Sequence, residues 1–351
     1  MRVLLADPPA YTPTYDHALA QALARAGADV ELLTSRFRYG ESPRPQGYRR
    51  TELFYPLSSR LFRRSRVRLP LKLAEHPLGM ARLARRRPDV LHVQWLAVPQ
   101  VDRVLLRTRS PAVFTAHDLL PRRTAGKVAL WRRIYDRFDR VVVHSARGRD
   151  ALVELGVQPG AIRVIPHPVF ARDVPRRDDG RTLLFFGILR AYRGLDDALA
   201  VAERLDDVRL VVAGDPAEPL DGYRARAATN VEWRLGYLSE AEVDRAHAEA
   251  TVALFPYRPE IDQSGSLLRA LGAGVPAVAY DVGGIGEPVD RFGAGRVVPA
   301  GDLDALADAV RSLLDDADAL TAAREGARLA REELTWEAAA QAHLDLYHEL
   351  Q

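Results

Sequence analysis

Cysteine is absent from the 351 residues. Its absence excludes disulfides, thiolate zinc sites and thiol nucleophiles, and it fits a cytosolic protein. Nowhere do about 18 apolar residues run together, the length that a membrane-spanning helix needs. The opening MRVLLADPPAYTP lacks the layout of a secretory leader: its apolar run is too short and reads as a first strand. No G-x-G-x-x-G follows that strand; DPPAYTPTYDH stands there instead, which argues against a bound dinucleotide. No histidine pair has H-x-x-x-H spacing. D-x-D occurs only at Asp302/Asp304 and Asp316/Asp318, inside helical patterns, where solvated helix faces are expected. Neither a protein-held metal nor a cofactor is expected.

Net charge is small, +3, but it is unevenly placed. Residues 36–150 hold 27 Lys and Arg against 9 Asp and Glu, a surplus of 18, so the remainder carries a surplus of 15 acids. Such asymmetry points to an anionic partner for the basic part. In RLFRRSRVRLPLKLAEHPLGMARLARRRPD, Leu61, Phe62, Val67, Leu69, Leu71 and Leu73 stand between the arginines. That pattern suits a surface lying on anionic lipid, with apolar side chains dipping in; the bland alternative is an arginine-rich soluble surface. Phosphates of nucleic acid would also be attracted. No motif that reads RNA or DNA accompanies the arginines, and no nucleic-acid partner is expected. The expected location is the cytoplasm, with peripheral attachment to the inner face of the cell membrane as the extension of this reading.

What is present is an alternation of strand-like and helix-like stretches. Apolar runs at 3–6, 30–34, 90–94, 112–116, 140–144 and 162–166 form one set, and runs at 182–187, 208–214, 252–255, 275–280 and 296–299 form another. Continuous apolar strands between amphipathic helices imply parallel sheet covered on both faces. Pro166-His167-Pro168, followed by the polar stretch 171–181, separates the two sets. The expected fold class is therefore α/β: two doubly wound Rossmann-like domains, 1–168 and 169–334, facing across a cleft, with a last helix at 335–351. Ligands of such sheets sit at the carboxyl ends of the strands.

The most informative stretch is 251–287, TVALFPYRPEIDQSGSLLRALGAGVPAVAYDVGGIGE. It reads as two strand–loop–helix units. Ser264-Gly265-Ser266 opens one helix and Asp281-Val282-Gly283-Gly284 leads into another, with Glu287 in its first turn. Helix N-termini built from small residues bind phosphate through free backbone N–H groups and the helix dipole, and two side by side suit a diphosphate. A third feature, FFGILRAYRG, ends a strand in a glycine and brings Arg190 and Arg193 to a helix start. There, fixed cations stabilise a departing phosphate.

These motifs resemble the donor-binding half of retaining glycosyltransferases of family 4, which have the GT-B fold. A-L-G-A-G-V-P-A-V and D-V-G-G-I-G-E match that family closely. The family's E-x7-E does not match: Arg269 holds the second acid's position, and the first falls near Ile261, between Glu260 and Asp262. The Q-S-G turn at 263–265 looks like a branch of the family. In G-R-L-x-x-x-K-G, Arg193 stands at the lysine position and Ile188 at the arginine position, with Arg190 as its substitute.

The resemblance implies transfer of a sugar from a nucleoside diphosphate sugar to a sugar, lipid-linked or small-molecule acceptor, with retention. Polysaccharide biosynthesis is the expected setting. Arg190, Arg193 and His117 (in VFTAHDLLP) are the implied catalytic residues. Glu260, Asp262, Gln263, Ser264, Gly265, Ser266, Gly284 and Glu287 are implied to bind the donor. Tyr11, Thr12, Tyr15 and Asp118 stand on the acceptor side, although a rigid structural turn accounts equally well for the tyrosines. His92 and His144 also end strands, as core-edge or as site residues. Two rivals remain at this point: a nucleotide-sugar epimerase on the same fold, and a non-catalytic binder of nucleotide sugars or polyanions.

Overall fold

Each run of aliphatic and β-branched residues becomes a strand of one of two parallel sheets in the computed structural model. It describes residues 1–351 apart from 38–39, 41, 62–66, 122–123 and 260–261. The chain divides into two units, residues 1–166 with 336–351, and residues 167–335.

The first unit runs β1 (Arg2–Asp7), α1 (Pro13–Arg25), β2 (Asp29–Ser35), β3 (Arg49–Phe54), α2 (Arg68–Ala84), β4 (Val90–Val93), α3 (Pro99–Leu105), β5 (Ala112–Thr115), α4 (Val128–Tyr135), β6 (Arg140–Val143), α5 (Ala146–Glu154) and β7 (Ile162–Val164). Its sheet has the order β3-β2-β1-β4-β5-β6-β7. Val3 pairs with Val30 on one side and Val90 on the other. Central strand residues are fully buried, as a parallel sheet with helices on both faces demands.

The second unit runs β8 (Thr182–Phe186), α6 (Leu195–Arg204), β9 (Arg209–Gly214), α7 (Asp221–Arg226), β10 (Val231–Leu235), α8 (Glu240–Glu249), β11 (Val252–Phe255), α9 (Gly265–Gly272), β12 (Ala277–Tyr280), α10 (Glu287–Phe292), β13 (Gly295–Val298), α11 (Leu303–Leu314) and α12 (Ala317–Glu333). Its order is β10-β9-β8-β11-β12-β13. The chain then returns to the first unit as α13 (Trp336–His348), whose Ala340, Leu344 and Tyr347 pack with Val3, Leu5, Leu19 and Leu23. Tyr347 reaches the centre of that sheet, where its hydroxyl meets His92 Nδ1 at 2.6 Å; His92 Nε2 pairs with Thr115 at 2.7 Å. His92 is thus a core residue, held neutral because burial depresses its pKa far below the usual value.

In both sheets the strand order reverses once, between β1 and β4 and between β8 and β11. Loops leaving the carboxyl ends of those strands flank the crevice where doubly wound sheets bind ligands. The two D-x-D triplets are exposed at the starts of α11 and α12, as expected of solvated helix positions, and the first aspartate of each also caps its helix. Asp302 accepts the Ala305 N–H and so caps α11, and Asp316 accepts those of Asp318 and Ala319 and so caps α12.

The basic stretch forms α2, half anchored and half bare. Glu75, His76, Met80 and Leu83 are buried. Glu75 accepts the N–H groups of Leu57 and Ser58, and His76 bridges the Tyr55 hydroxyl and Asp102. Near its start Val67, Leu69 and Leu73 stay exposed. Phe62, Arg63, Arg64 and Arg66 lie outside the described residues. Among the described residues no helix is long and apolar enough to cross a membrane.

Candidate functional site

In the second unit the site grows from the loops after β8 and β11. β8 is followed directly by Gly187, whose φ is +126°. A Cβ there would lie 2.2 Å from Arg193 Nη1 and 2.5 Å from Ser266 Oγ, so only glycine leaves room for that arginine. Arg193 closes a short 3-10 turn, Ala191–Arg193, and turns its side chain back. Nη1 donates to the Phe186 carbonyl at 2.9 Å and to Ser266 Oγ at 3.0 Å. The guanidinium carbon stands 5.2 Å from the Tyr257 ring centroid. An arginine fixed by a carbonyl, a hydroxyl and a ring face loses little freedom when an anion arrives. Arg190 is exposed just before the turn.

The α9 N-terminus lies beside it. Ser264 caps the helix: its Oγ accepts the Leu267 N–H at 3.1 Å and its carbonyl accepts that of Leu268. The Ser264 hydroxyl in turn donates to Tyr257 Oη at 3.1 Å. These bonds leave the N–H groups of Gly265 and Ser266 at the open end of α9, with the Arg193 guanidinium on Ser266. Gln263 is half-buried next to them.

The loop after β12 behaves differently from the expected second open helix end. The Gly284 N–H is directed at Asp262, 3.0 Å from its carbonyl and 3.2 Å from Oδ1. Asp262 and Gly284 therefore tie two loops together. α10 has only six residues and begins at the half-buried Glu287. At α9 one helix end and one arginine stand together, while the Gly284 N–H is taken up by Asp262. Glu260 lies outside the described residues. Arg269, at the position of the missing acid, pairs with Glu240 on α8 at 3.1 and 3.2 Å.

Sequence reasoning overlooked a second set of residues here. Arg258 donates to Asp197 at 3.1 Å, and the Tyr280 hydroxyl donates to the same carboxylate at 2.9 Å. Arg258 N–H donates to the Tyr192 carbonyl at 2.7 Å. At Gly194, with φ +72°, a Cβ would stand 1.8 Å from the Pro256 carbonyl oxygen. The R-A-Y-R-G turn and the loop after β11 are thus locked together by backbone contact. Only the glycine carried a signal of this in the sequence, since the partners are some 60 residues apart.

In the first unit the loops after β1, β4 and β5 carry the candidates. His117 is buried, its Nε2 3.0 Å from Gln94 Oε1. The Trp95 ring stacks on it at 5.2 Å and 13°, and the edge of Tyr15 meets it at 4.7 Å. Tyr15 itself is buried against His144 and Trp336. It supports His117 from within the core and does not line an acceptor surface, a correction to the sequence expectation. His144 is likewise internal: burial lowers its pKa to about 4, and its Nδ1 pairs with the Ile165 carbonyl. Thr12 is half-buried and accepts the Trp95 indole N–H at 2.9 Å. Tyr11 is exposed and Asp118 half-buried.

Behind Thr12 two buried carboxyls, Asp7 and Asp16, share a hydrogen bond. Burial pushes Asp7 up to about 6 even though Asp16 and loop N–H groups bond to it. Burial and the Asp7 charge push Asp16 well above the usual carboxylate range. Both carboxyls therefore hold a proton more readily than an exposed aspartate does.

Comparison with known proteins agrees with this architecture. Residues 14–171 match the family described as Glycosyltransferase Family 4, and residues 180–316 match Glycosyl transferases group 1. A glycogen synthase of Mycobacterium tuberculosis is 30% identical over 292 residues, covering 74% of this chain and 69% of its own. Among solved structures, sucrose-phosphate synthase from Thermosynechococcus elongatus superposes with TM-score 0.79 at 20% identity, covering 100% of this chain and 99% of its own. Anabaena Alr3699/HepE, solved in complex with UDP and glucose, gives 0.71 at 16% identity and covers both chains fully.

Proposed function

From the premise that the chain belongs to glycosyltransferase family 4 and is a GT-B glycosyltransferase, we propose that it transfers a sugar with retention from a nucleoside diphosphate sugar. The donor is held by the second unit. The observation that carries this is the Arg193 guanidinium fixed on Ser266 at the open end of α9. That arrangement matches the charge which develops on a departing diphosphate. The UDP complex of the HepE neighbour is consistent with such a donor.

In this mechanism the bond from the anomeric carbon to the phosphate oxygen breaks, and its electron pair stays on the phosphate. The acceptor oxygen attacks the same face and passes its proton to that phosphate oxygen. Arg193, Arg190 and the Gly265 and Ser266 amides stabilise the charge. No side chain serves as nucleophile. In the same proposal His117 orients the sugar, and Tyr11, Thr12 and Asp118 bind the acceptor. Gln263 and Glu287 complete the donor contacts.

Product analysis with UDP-, GDP- and dTDP-sugars tests this reading. A transferred sugar of unchanged anomeric configuration supports it, and inversion or simple epimerisation of the donor overturns it. Among the described residues no three of His, Asp and Glu are grouped to hold a metal ion. Transfer is therefore expected to continue in EDTA; an EDTA-treated enzyme revived by magnesium or manganese would show that a metal takes part. His117→Ala should leave nucleoside diphosphate affinity within about threefold while transfer falls at least tenfold. Calorimetry showing lost nucleotide binding together with a collapsed melting temperature would assign His117 a structural role.

The acceptor is lipid-linked in this reading, because the bare start of α2 suits an anionic membrane. Leu69 is 64% exposed and Leu73 53% exposed, on a helix anchored through its other face. Basic residues near such a surface contribute about 1 kcal/mol each. Co-sedimentation with anionic liposomes should be seen at low salt and weaken as salt is added. Binding that is absent, or unchanged when Arg63, Arg64, Arg66 and Arg68 become Glu, removes the membrane from the proposal and leaves sugar transfer standing.

A further inference from the structure

Tyr11 and Trp95 stand where the strand order of the first sheet reverses, one after β1 and one after β4. Their rings meet edge to face, centroids 5.4 Å apart and planes at 79°, so they form an L-shaped aromatic corner. Trp95 is fixed on two sides, by its N–H bond to Thr12 and by the stack on His117. Tyr11 leaves 52% of its surface in water and gains little from burial. The backbone just before it is strained: Ala10 has φ +54°, a left-handed conformation costing a non-glycine residue about 1 kcal/mol or more. Strain that ends in an exposed ring points to a ligand rather than to folding.

The same loop also determines what that ligand is not. Successive N–H groups around a left-handed residue form a concavity for anions. Here the Asp7 carboxylate fills it, accepting the Thr12 N–H at 3.2 Å and lying within bonding reach of the Tyr11 and Ala10 amides. With that carboxyl seated on the loop N–H groups, they are already taken and none is left for a phosphate on the acceptor. An uncharged sugar ring needs none. Its C–H face is apolar and lies against an aromatic face, whose rim hydrogens and negative centre favour it.

We propose that Tyr11 and Trp95 form the acceptor subsite, and that they take the apolar face of an uncharged sugar ring. This rests on the glycosyltransferase reading and names the acceptor class within it. Trp95 acts as a specificity residue: it sets affinity for the acceptor without touching the departing phosphate.

Saturation-transfer NMR on the intact enzyme, with methyl α-D-glucopyranoside, methyl β-D-galactopyranoside and methyl α-D-mannopyranoside as probes and glucose 6-phosphate as the charged comparator, tests this. At least one methyl glycoside should receive saturation on the C–H protons of one ring face. Tyr11→Ala, at an exposed position that folding does not need, should weaken that binding about tenfold, and Trp95→Ala should do the same while Trp95→Phe retains most of it. Glucose 6-phosphate should bind no more tightly than the neutral probes. Saturation of none of the glycosides, binding unchanged in Tyr11→Ala, or a tenfold preference for the phosphate overturns the proposal. Titration of the same samples with UDP, GDP and dTDP keeps the two readings apart: nucleotide binding that persists while the platform fails leaves the donor site standing, and its absence with every nucleotide counts against the donor site alone.

Discussion

Arg193→Ala should lower kcat by about a hundred- to a thousandfold, as loss of one fixed charge-stabilising donor does, or roughly 2.7–4 kcal/mol of barrier. The side chain is held by the Phe186 carbonyl, Ser266 Oγ and the Tyr257 face. All three partners survive its removal: Ser266 keeps its place in the first turn of α9, and Tyr257 keeps its bond from Ser264. Thermal stability should therefore shift by no more than a few degrees. Arg193→Lys should recover part of the rate, because a point charge remains but the two-pronged fit is lost. Steady-state turnover of the alanine variant within twofold of wild type would remove Arg193 from the chemistry. A melting temperature that falls as steeply as the rate would make it a structural residue.

The second large effect is one of shape. Gly194→Ala places a methyl group 1.8 Å from the Pro256 carbonyl oxygen at a residue with φ +72°. A backbone atom cannot swing away as a side chain would, so one of the two loops must move. The expected loss is about 2–4 kcal/mol of stability, or roughly 5–15 °C in melting temperature for a unit of this size. Because Arg193 precedes this glycine and Tyr257 follows that proline, the displacement also pulls the guanidinium off its partners. Donor affinity should fall with stability. Calorimetric scans and nucleotide titrations measure both, and a variant melting within two degrees of wild type would mean that the contact yields easily.

The central strands of both sheets could be read in the sequence, because burial on both faces requires unbroken apolar runs such as VVVH and VALF. β3 and β10 could not be so read. RRTELF and VEWRL are edge strands whose side chains remain partly exposed, so charged residues interrupt the run. Motif spacing picked out Arg193, Ser264 and Ser266, each marked by glycine or by a capping serine beside a strand end. It did not separate residues that face a ligand from those behind them. Tyr15 and His144 end up in the core, and Asp262 ends up bonding Gly284. Trp95, Asp7 and Asp16 escaped notice because their meaning lies in contacts made over tens of residues, such as that of Trp95 with Thr12. Asp7, an acid at the very end of a strand, was the one local clue.

α13 bears on how the molecule is assembled in time. A ribosome releases a chain from its amino end, and domains generally fold as they emerge. The second unit is one continuous segment and can close once residue 335 is free. The first unit lacks one layer until later: Val3, Leu5, Leu19 and Leu23 pack on one another early but gain Ala340, Leu344 and Tyr347 only when residues 336–348 arrive, and the His92–Tyr347 bond joins a strand made early to a helix made 255 positions later. The half synthesised first is thus the half completed last. Throughout translation of the second unit, the part of that core which α13 covers stays open.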